Sequence, residues 1–456
     1  MMTMRVRIIS LVAGGFVLLL VMVCTLPLAA RMLPNRVQEQ IPDRIWVLVE
    51  TPLPTSLPAA QVTAVPLADD IFQPVTITPT PTPAATDDLP LTFTPIATEA
   101  VNPTAMATPV GSVQAVPPTP TALPSPTPTS TPPATAHIDG LRIIAQTFNN
   151  CGPANLTMVL NYFGPTASQA DVGGVVKPIR EDANVSPWEL AAYANEQSPL
   201  TADYFAGGDI DLLQRLIAAG FPVIVEKGYM PSERLGWMGH YLTLIGYDDS
   251  QQTFTALDSY LGPWDSSGLS VPYDDLLLYW EQFNYTFLIV YPPEENSQVA
   301  ALLGPNMLDR EIMWRQAGQR AQTAVSAEPD NAFAWFNLGT NLTRLGGLTG
   351  SRLYFDNAAA AYDQARSIGL PWRMLWYQFD IYEAYLAVGR YEDVITLANI
   401  TVSGAGDRII EESFLYRGHA YLAQGNAAQA RLDYRQALAL NPNFAAAQTA
   451  LNAVSE

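Results

Sequence analysis

Three patterns of apolar and polar positions divide this chain. Ile8 to Ala30 is a run of 23 residues without a charge, followed by Arg31. That is long enough to span a bilayer as a helix. From about Val49 to Ala136 there is no periodicity, only Thr, Pro, Ala and Ser, as in TITPTPTPAATDDLP. Such a stretch is too poor in apolar residues to bury a core and predicts an extended spacer. From His137 onward the periodicities of folded structure begin. After Pro153, Leu156, Val159, Leu160 and Phe163 recur at the spacing of one helix face. Ser186-Pro187-Trp188-Glu189 reads as a capping box opening a second helix. Asp209 caps a third, IDLLQRLIAAG, which Gly220 ends. Phe221–Glu226, His240–Tyr247, Thr253–Asp258 and Thr286–Tyr291 read as strands. From Gly304 to the last residue the pattern is helical and repeats: AYLAVGR at 384–390 and AYLAQGN at 420–426 are 36 positions apart.

The expected organisation is therefore a cytoplasmic tip and transmembrane anchor over 1–31 and a disordered Pro/Thr-rich stalk over 32–136. An α+β domain follows over 137–293, then an all-α repeat solenoid over 304–456. Arg5 and Arg7 before the apolar run place the N-terminus in the cytoplasm and the bulk of the chain outside it. The rival is a cleaved signal peptide, whose apolar core is usually ~7–15 residues. A lipoprotein cleavage at Cys24 fits poorly, because Val23 stands where a small residue is normal. The balance of 23 basic and 43 acidic residues, a net charge of −20, argues against nucleic acid or an anionic membrane surface as a partner.

The chain has two cysteines, and Cys24 sits in the apolar run, so Cys151 lacks an obvious disulfide partner. Cys151 lies at the start of the predicted helix, where unpaired N–H groups and the dipole favour a thiolate. A buried inert thiol is the alternative. A thiol nucleophile needs a base, and the base needs an orienting group. Of His137, His240 and His419, the first closes the spacer and the last falls inside a repeat helix. His240 opens the strand GHYLTLIGYDD. If His240–Tyr247 and Gln251–Asp258 pair as a regular hairpin, His240 faces Asp258 on one side of the sheet. A one-residue bulge would break that register, and Asp258 alone also suits a turn. Gln146, five residues before the cysteine, can donate to a developing oxyanion beside the Cys151 N–H; a surface glutamine is the alternative. No metal-ligand cluster and no cofactor motif appear.

Gln146, Cys151-Gly152-Pro153-Ala154, NYFG at 161–164, GHYLTLIGYD and ALDSYLG at 256–262 together resemble the bacteriocin-processing, double-glycine leader cysteine peptidases and their free-standing relatives. These belong to the papain-like group. The similarity spans about Ile143 to Val290. It implies Cys151 as nucleophile, His240 as general base and acid, Asp258 as orienter and Gln146 as oxyanion donor. Family members that process bacteriocins are fused to an ABC transporter; this sequence shows neither a multi-span region nor a nucleotide-binding motif. The C-terminal region resembles tetratricopeptide repeats, about three and a half of them. Gly418, Tyr421, Gly425, Ala430, Tyr434, Ala437 and Pro442 fall on the pattern, and a preceding copy needs about seven extra residues near Thr349 to Leu353. The expectation is a membrane-anchored extracytoplasmic cysteine peptidase acting on a peptide or protein. Its repeats would offer a groove to a protein partner. A peptide-binding scaffold without catalysis, or a cell-wall peptide hydrolase or transpeptidase with the same residues, stays open.

Overall fold

The computed structural model describes residues 56–60, 71–72, 131–182, 184–232, 235–402 and 410–455. The apolar run from Ile8 to Ala30 and most of the expected stalk lie outside the described residues. No helix among the described residues is long and apolar enough to cross a membrane.

The first folded unit packs helices against an antiparallel sheet. Its strands are β1 (Thr135–His137), β2 (Thr201–Phe205), β3 (Val223–Tyr229), β4 (Met238–Asp248), β5 (Thr253–Leu257), β6 (Leu269–Pro272) and β7 (Phe287–Tyr291). They run in the order β2-β7-β3-β4-β5-β6, with β1 on the far end of β4. The helices are α1 (Cys151–Tyr162), α2 (Gln169–Val176), α3 (Pro187–Gln197), α4 (Ile210–Ala218) and α5 (Tyr273–Glu281). The predicted caps hold α3 and α4 in place. The Glu189 carboxylate accepts from the Ser186 N–H at 2.8 Å, and Asp209 accepts from the Leu212 N–H at 2.8 Å. Gly220, at φ +93°, closes α4 in a left-handed conformation. Helix α1 departs from expectation. Gly152 through Leu160 are all buried, so it is a central helix rather than an amphipathic surface one.

Helix α6 (Asn296–Leu308) connects the two units, with Val299 and Leu303 buried and a break at Gly304. The repeat array then runs α7 (Arg310–Ala327), α8 (Ala332–Thr349), α9 (Arg352–Ile368), α10 (Asp380–Ala387), α11 (Tyr391–Val402), α12 (Glu411–Ala423), α13 (Ala427–Leu440) and α14 (Ala445–Ser455). The small residues of the repeat pattern have a steric cause. A Cβ on Gly339 would stand 2.8 Å from the Tyr362 ring, and one on Gly418 would stand 2.4 Å from Tyr434. Glycine lets the paired helices approach until those rings fill the gap.

Two findings bear on the expected organisation. The array packs directly on the sheet-containing unit. One continuous apolar core runs from the sheet into α7–α12. Asn284 and Asn341 exchange side-chain hydrogen bonds of 2.8 and 3.1 Å, and Asn337 donates to the Glu281 carbonyl at 2.6 Å. Part of the expected stalk is also folded in. Thr135 and Ala136 belong to β1. Leu57, Ile71 and Phe72 join the common core. The composition of that stretch is too poor to form a core of its own, and its isolated apolar residues join one made elsewhere.

Candidate active site

Helix α1 delivers Cys151 to a half-buried position at its N-terminus. Ahead of it, Asn149 takes a left-handed turn at φ 54°, a conformation asparagine tolerates. The buried strand β4 delivers His240, and the turn after β5 delivers Asp258. His240 Nε2 lies 3.0 Å from both carboxylate oxygens of Asp258. The Cys151 thiol and the His240 ring stand close enough for each to favour the other's charged form. With Asp258 on Nε2, Nδ1 is the ring nitrogen left to serve the thiol.

The route to that geometry differs from the regular hairpin expected. Near the turn Asp248 pairs with Thr253 and Tyr247 with Phe254. Continued unbroken, that register would set Asp258 opposite Thr243, on the wrong face for His240. A bulge between Leu244 and Gly246 shifts the pairing by one, so that Thr243 pairs with Leu257. Asp258 then falls opposite Leu242, diagonal to His240 and on its face. The irregularity expected to ruin the pairing restores it, because one residue of slip exchanges the two faces of a strand.

Charges in this site support one another. Burial pushes the Cys151 thiol up. The hydrogen bond and charge of His240, the Tyr241 N–H and the charge of Lys177 more than reverse this, leaving the thiol below its ordinary range. Burial pushes the His240 imidazole down, but the charge and hydrogen bond of Asp258 and the contact with Cys151 raise it to about 9. Asp258 is buried, which disfavours its charge. His240 and the N–H groups of Leu261 and Tyr260, at 2.9 and 2.8 Å, nonetheless hold it below the usual carboxylate range. A thiolate facing an imidazolium is the protonation state these shifts favour.

Gln146 lies alongside. Its N–H donates to the Ser259 carbonyl at 2.8 Å, and its Oε1 accepts from Ser259 Oγ at 2.8 Å. With the oxygen end held, the Nε2 end has no acceptor among the described residues. The sequence-predicted set Cys151, His240, Asp258 and Gln146 is thus gathered in one place.

Residues outside that set hold it together. Asn155, one turn along α1 and fully buried, donates to the carbonyls of Cys151 and Tyr241, each at 2.9 Å, and to Ser259 Oγ at 3.2 Å. It accepts from Thr243 Oγ1 at 2.7 Å. One amide therefore ties the cysteine helix to the histidine strand and the aspartate turn. An amide side chain inside a mostly apolar buried helix was the available signal. Below the cleft, Glu226 on β3 faces Tyr241. Burial drives its carboxyl well above the usual range, and the nearby Cys151 adds to this.

The array also reaches the site. A Cβ on Gly239, next to His240, would stand 2.8 Å from both the Tyr377 and Phe283 rings. Arg373 donates to the carbonyls of Leu235 and Trp237. Trp237 stacks on Phe283 at 5.6 Å. A cavity of about 50 Å³ between the units is lined by Glu226, Trp188, Arg344, Tyr377 and Asp380, among others. His419 takes no part, because its Nδ1 pairs with the Tyr434 hydroxyl at 2.9 Å inside the last repeat.

Residues 138–287 match the family model described as Peptidase_C39 like family. Residues 411–444 match the model of the tetratricopeptide repeat. The chain therefore carries a C39-like cysteine peptidase domain followed by tetratricopeptide repeats. Among solved structures, it is similar to a C39-like protein from Bacillus anthracis at 19% identity and a TM-score of 0.29. That match covers 34% of this chain and 96% of the other. It is also similar to a double glycine motif protease from an AMS/PCAT transporter, solved with the leader peptide. There the identity is 18% and the TM-score 0.26, over 34% of this chain and 98% of that one. Among curated proteins nothing matches the chain.

Proposed function

We propose that this protein is a membrane-tethered, extracytoplasmic cysteine peptidase that cleaves peptide bonds with Cys151, His240, Asp258 and Gln146. The observation that carries this reading is the 3.0 Å contact of His240 with Asp258 beside a thiol that the same imidazole holds below its ordinary range. The Cys151 thiolate attacks the carbonyl carbon of the scissile peptide. The oxygen becomes an oxyanion, which the Gln146 Nε2–H and the Cys151 backbone N–H receive. The His240 imidazolium gives its Nδ1 proton to the leaving amine, the C–N bond breaks, and a thioester remains on Cys151. Water then loses a proton to His240 and attacks the thioester. The C–S bond breaks, the carboxylic product leaves, and the thiolate–imidazolium pair is restored. Asp258 holds the ring and its charge throughout. The tether is the apolar run from Ile8 to Ala30, with Arg5 and Arg7 on the cytoplasmic side. The repeats serve to dock a protein partner or substrate.

Labelling with a peptidyl epoxide tests the catalytic reading. The wild type takes up one equivalent, and Cys151→Ala and His240→Ala take up none. Labelling that survives both substitutions, or no labelling of folded wild type, overturns it in favour of a peptide-binding scaffold.

A further inference from the structure

The described residues of the Pro/Thr-rich segment are held by the repeat array in a specific way. The Leu57 N–H donates to the Leu370 carbonyl at 2.8 Å. Arg366 at the end of α9 donates from Nε to the Pro58 carbonyl at 3.0 Å and from Nη2 to the Ala59 carbonyl at 3.4 Å. The same guanidinium is fixed by Tyr385 and Asp393, at 3.0 and 3.1 Å from Nη1. At the other end, Arg315 on α7 donates to the Phe72 carbonyl at 3.0 Å and is braced by the Tyr354 hydroxyl and by Glu311. Leu57 is 2% exposed, Ile71 5% and Phe72 8%.

Helix α7 is shaped for this contact. Gly318 sits in its middle, where glycine is a poorer helix former than alanine. A Cβ there would stand 2.4 Å from the Phe72 ring. The glycine gives up helix propensity and makes the pit that the ring fills. The donors address main-chain carbonyls rather than particular side chains, and neither stretch is helix or strand: 57–60 is irregular and Ile71–Phe72 lies in a turn. The pit asks only for an apolar ring. Such a surface recognises a class of ligand: a proline-tolerant peptide outside regular secondary structure, with apolar anchors and carbonyls that face two fixed guanidinium groups.

We infer that the face of the array built by Arg315, Gly318, Arg366 and Leu370 is a peptide-binding site, and that the protein's own segment around Leu57–Ala59 and Ile71–Phe72 is the ligand that occupies it in cis. The array is then filled on this face, and a competing peptide binds only by displacing that segment. The inference is independent of the peptidase reading.

The test uses the full-length chain and a fluorescent synthetic peptide spanning residues 54–74, read by anisotropy. Leu57→Asp with Phe72→Asp empties the site. The emptied variant binds the peptide at least tenfold more tightly than wild type, and adding Gly318→Leu removes that binding. Equal affinity for wild type and emptied variant overturns the inference. So does no binding by an emptied variant whose circular dichroism matches wild type. Native wild type supplies a second measurement that needs no variant. Hydrogen exchange of the Leu57 amide is slowed at least tenfold relative to the free peptide, and exchange at the free-peptide rate overturns the inference.

Discussion

Asp258→Asn is the substitution that isolates the carboxylate's charge. The asparagine is nearly isosteric, and its Oδ1 can still accept from the N–H groups of Tyr260 and Leu261. What it loses is the negative charge 3.0 Å from His240 Nε2. Asp258 supplies the largest favourable contribution that carries the imidazole from 6.5 to about 9, against a burial that opposes it. At about 1.4 kcal/mol per tenfold, that rise corresponds to about 3 kcal/mol favouring the imidazolium. The sign follows directly. The imidazolium, and the thiolate it supports, persists until pH rises through about 9 in the wild type. Without the carboxylate, burial is opposed only by the contact with Cys151, and the charge is lost at a lower pH than in the wild type. Near pH 7 the pair then shifts toward neutral thiol and imidazole, and the thiolate population falls. The assay is the second-order rate of Cys151 alkylation by iodoacetamide between pH 5 and 9. The acid limb of wild type lies below the range of a free thiol, and that of Asp258→Asn moves up toward it. An alkylation rate at pH 6.5 within threefold of wild type, in a folded variant, refutes the reasoning.

Further outcomes follow from other contacts. Ser259→Ala releases the Oε1 end of Gln146, so a peptidyl aldehyde, whose adduct places oxygen at the oxyanion position, binds about threefold more weakly. Gln146→Ala weakens it about tenfold, and iodoacetamide alkylation is unchanged in both. Asn155→Ala removes the partner of the buried Thr243 hydroxyl and Tyr241 carbonyl and one of the two partners of Ser259 Oγ, and lowers stability to urea by about 3 kcal/mol. Glu189 lies with Asp182, Glu411 and Glu412 in a buried acidic cluster that Lys177 only partly balances. Burial and Glu411 raise the Glu189 carboxyl to about 8, so the folded state keeps a proton that the unfolded state loses above about 4.5. Its contribution to stability is full at low pH and fades as pH rises toward 8. Glu189→Gln therefore melts with wild type at pH 4 and above it at pH 7.5; a constant gap across that range would contradict the assignment.

Local signals were legible in the sequence. The caps at Ser186 and Asp209, the cysteine at a helix start and the repeat spacing each rest on residues within one turn or one helical pair. The capping box Ser168–Asp171, which opens α2, was equally local and went unread. Strands β1, β2 and β6 are too short, or too even in polarity, to show alternation. The strand register was not legible at all. It depends on where a bulge falls, which no composition rule fixes, and the site survives because the net slip is an even number of residues. Asn155 and Ser259 were missed because the partners that tie them across the site, Tyr241, Thr243 and Gln146 among them, lie about a hundred positions away. Leu57 and Phe72 were missed for the same reason: three apolar residues among prolines mean little until Gly318 and Leu370 face them.

The Tyr377–Gly239 contact bears on how this protein can be divided. The family-matched stretch ends at 287, but one of the two rings that seat the strand beside His240, that of Tyr377, comes from ninety residues later. A fragment cut at the end of that stretch would leave Trp237 and Phe283 facing solvent and free the loop that Arg373 pins. The smallest piece that can keep the candidate site in register is longer than the family-matched stretch itself.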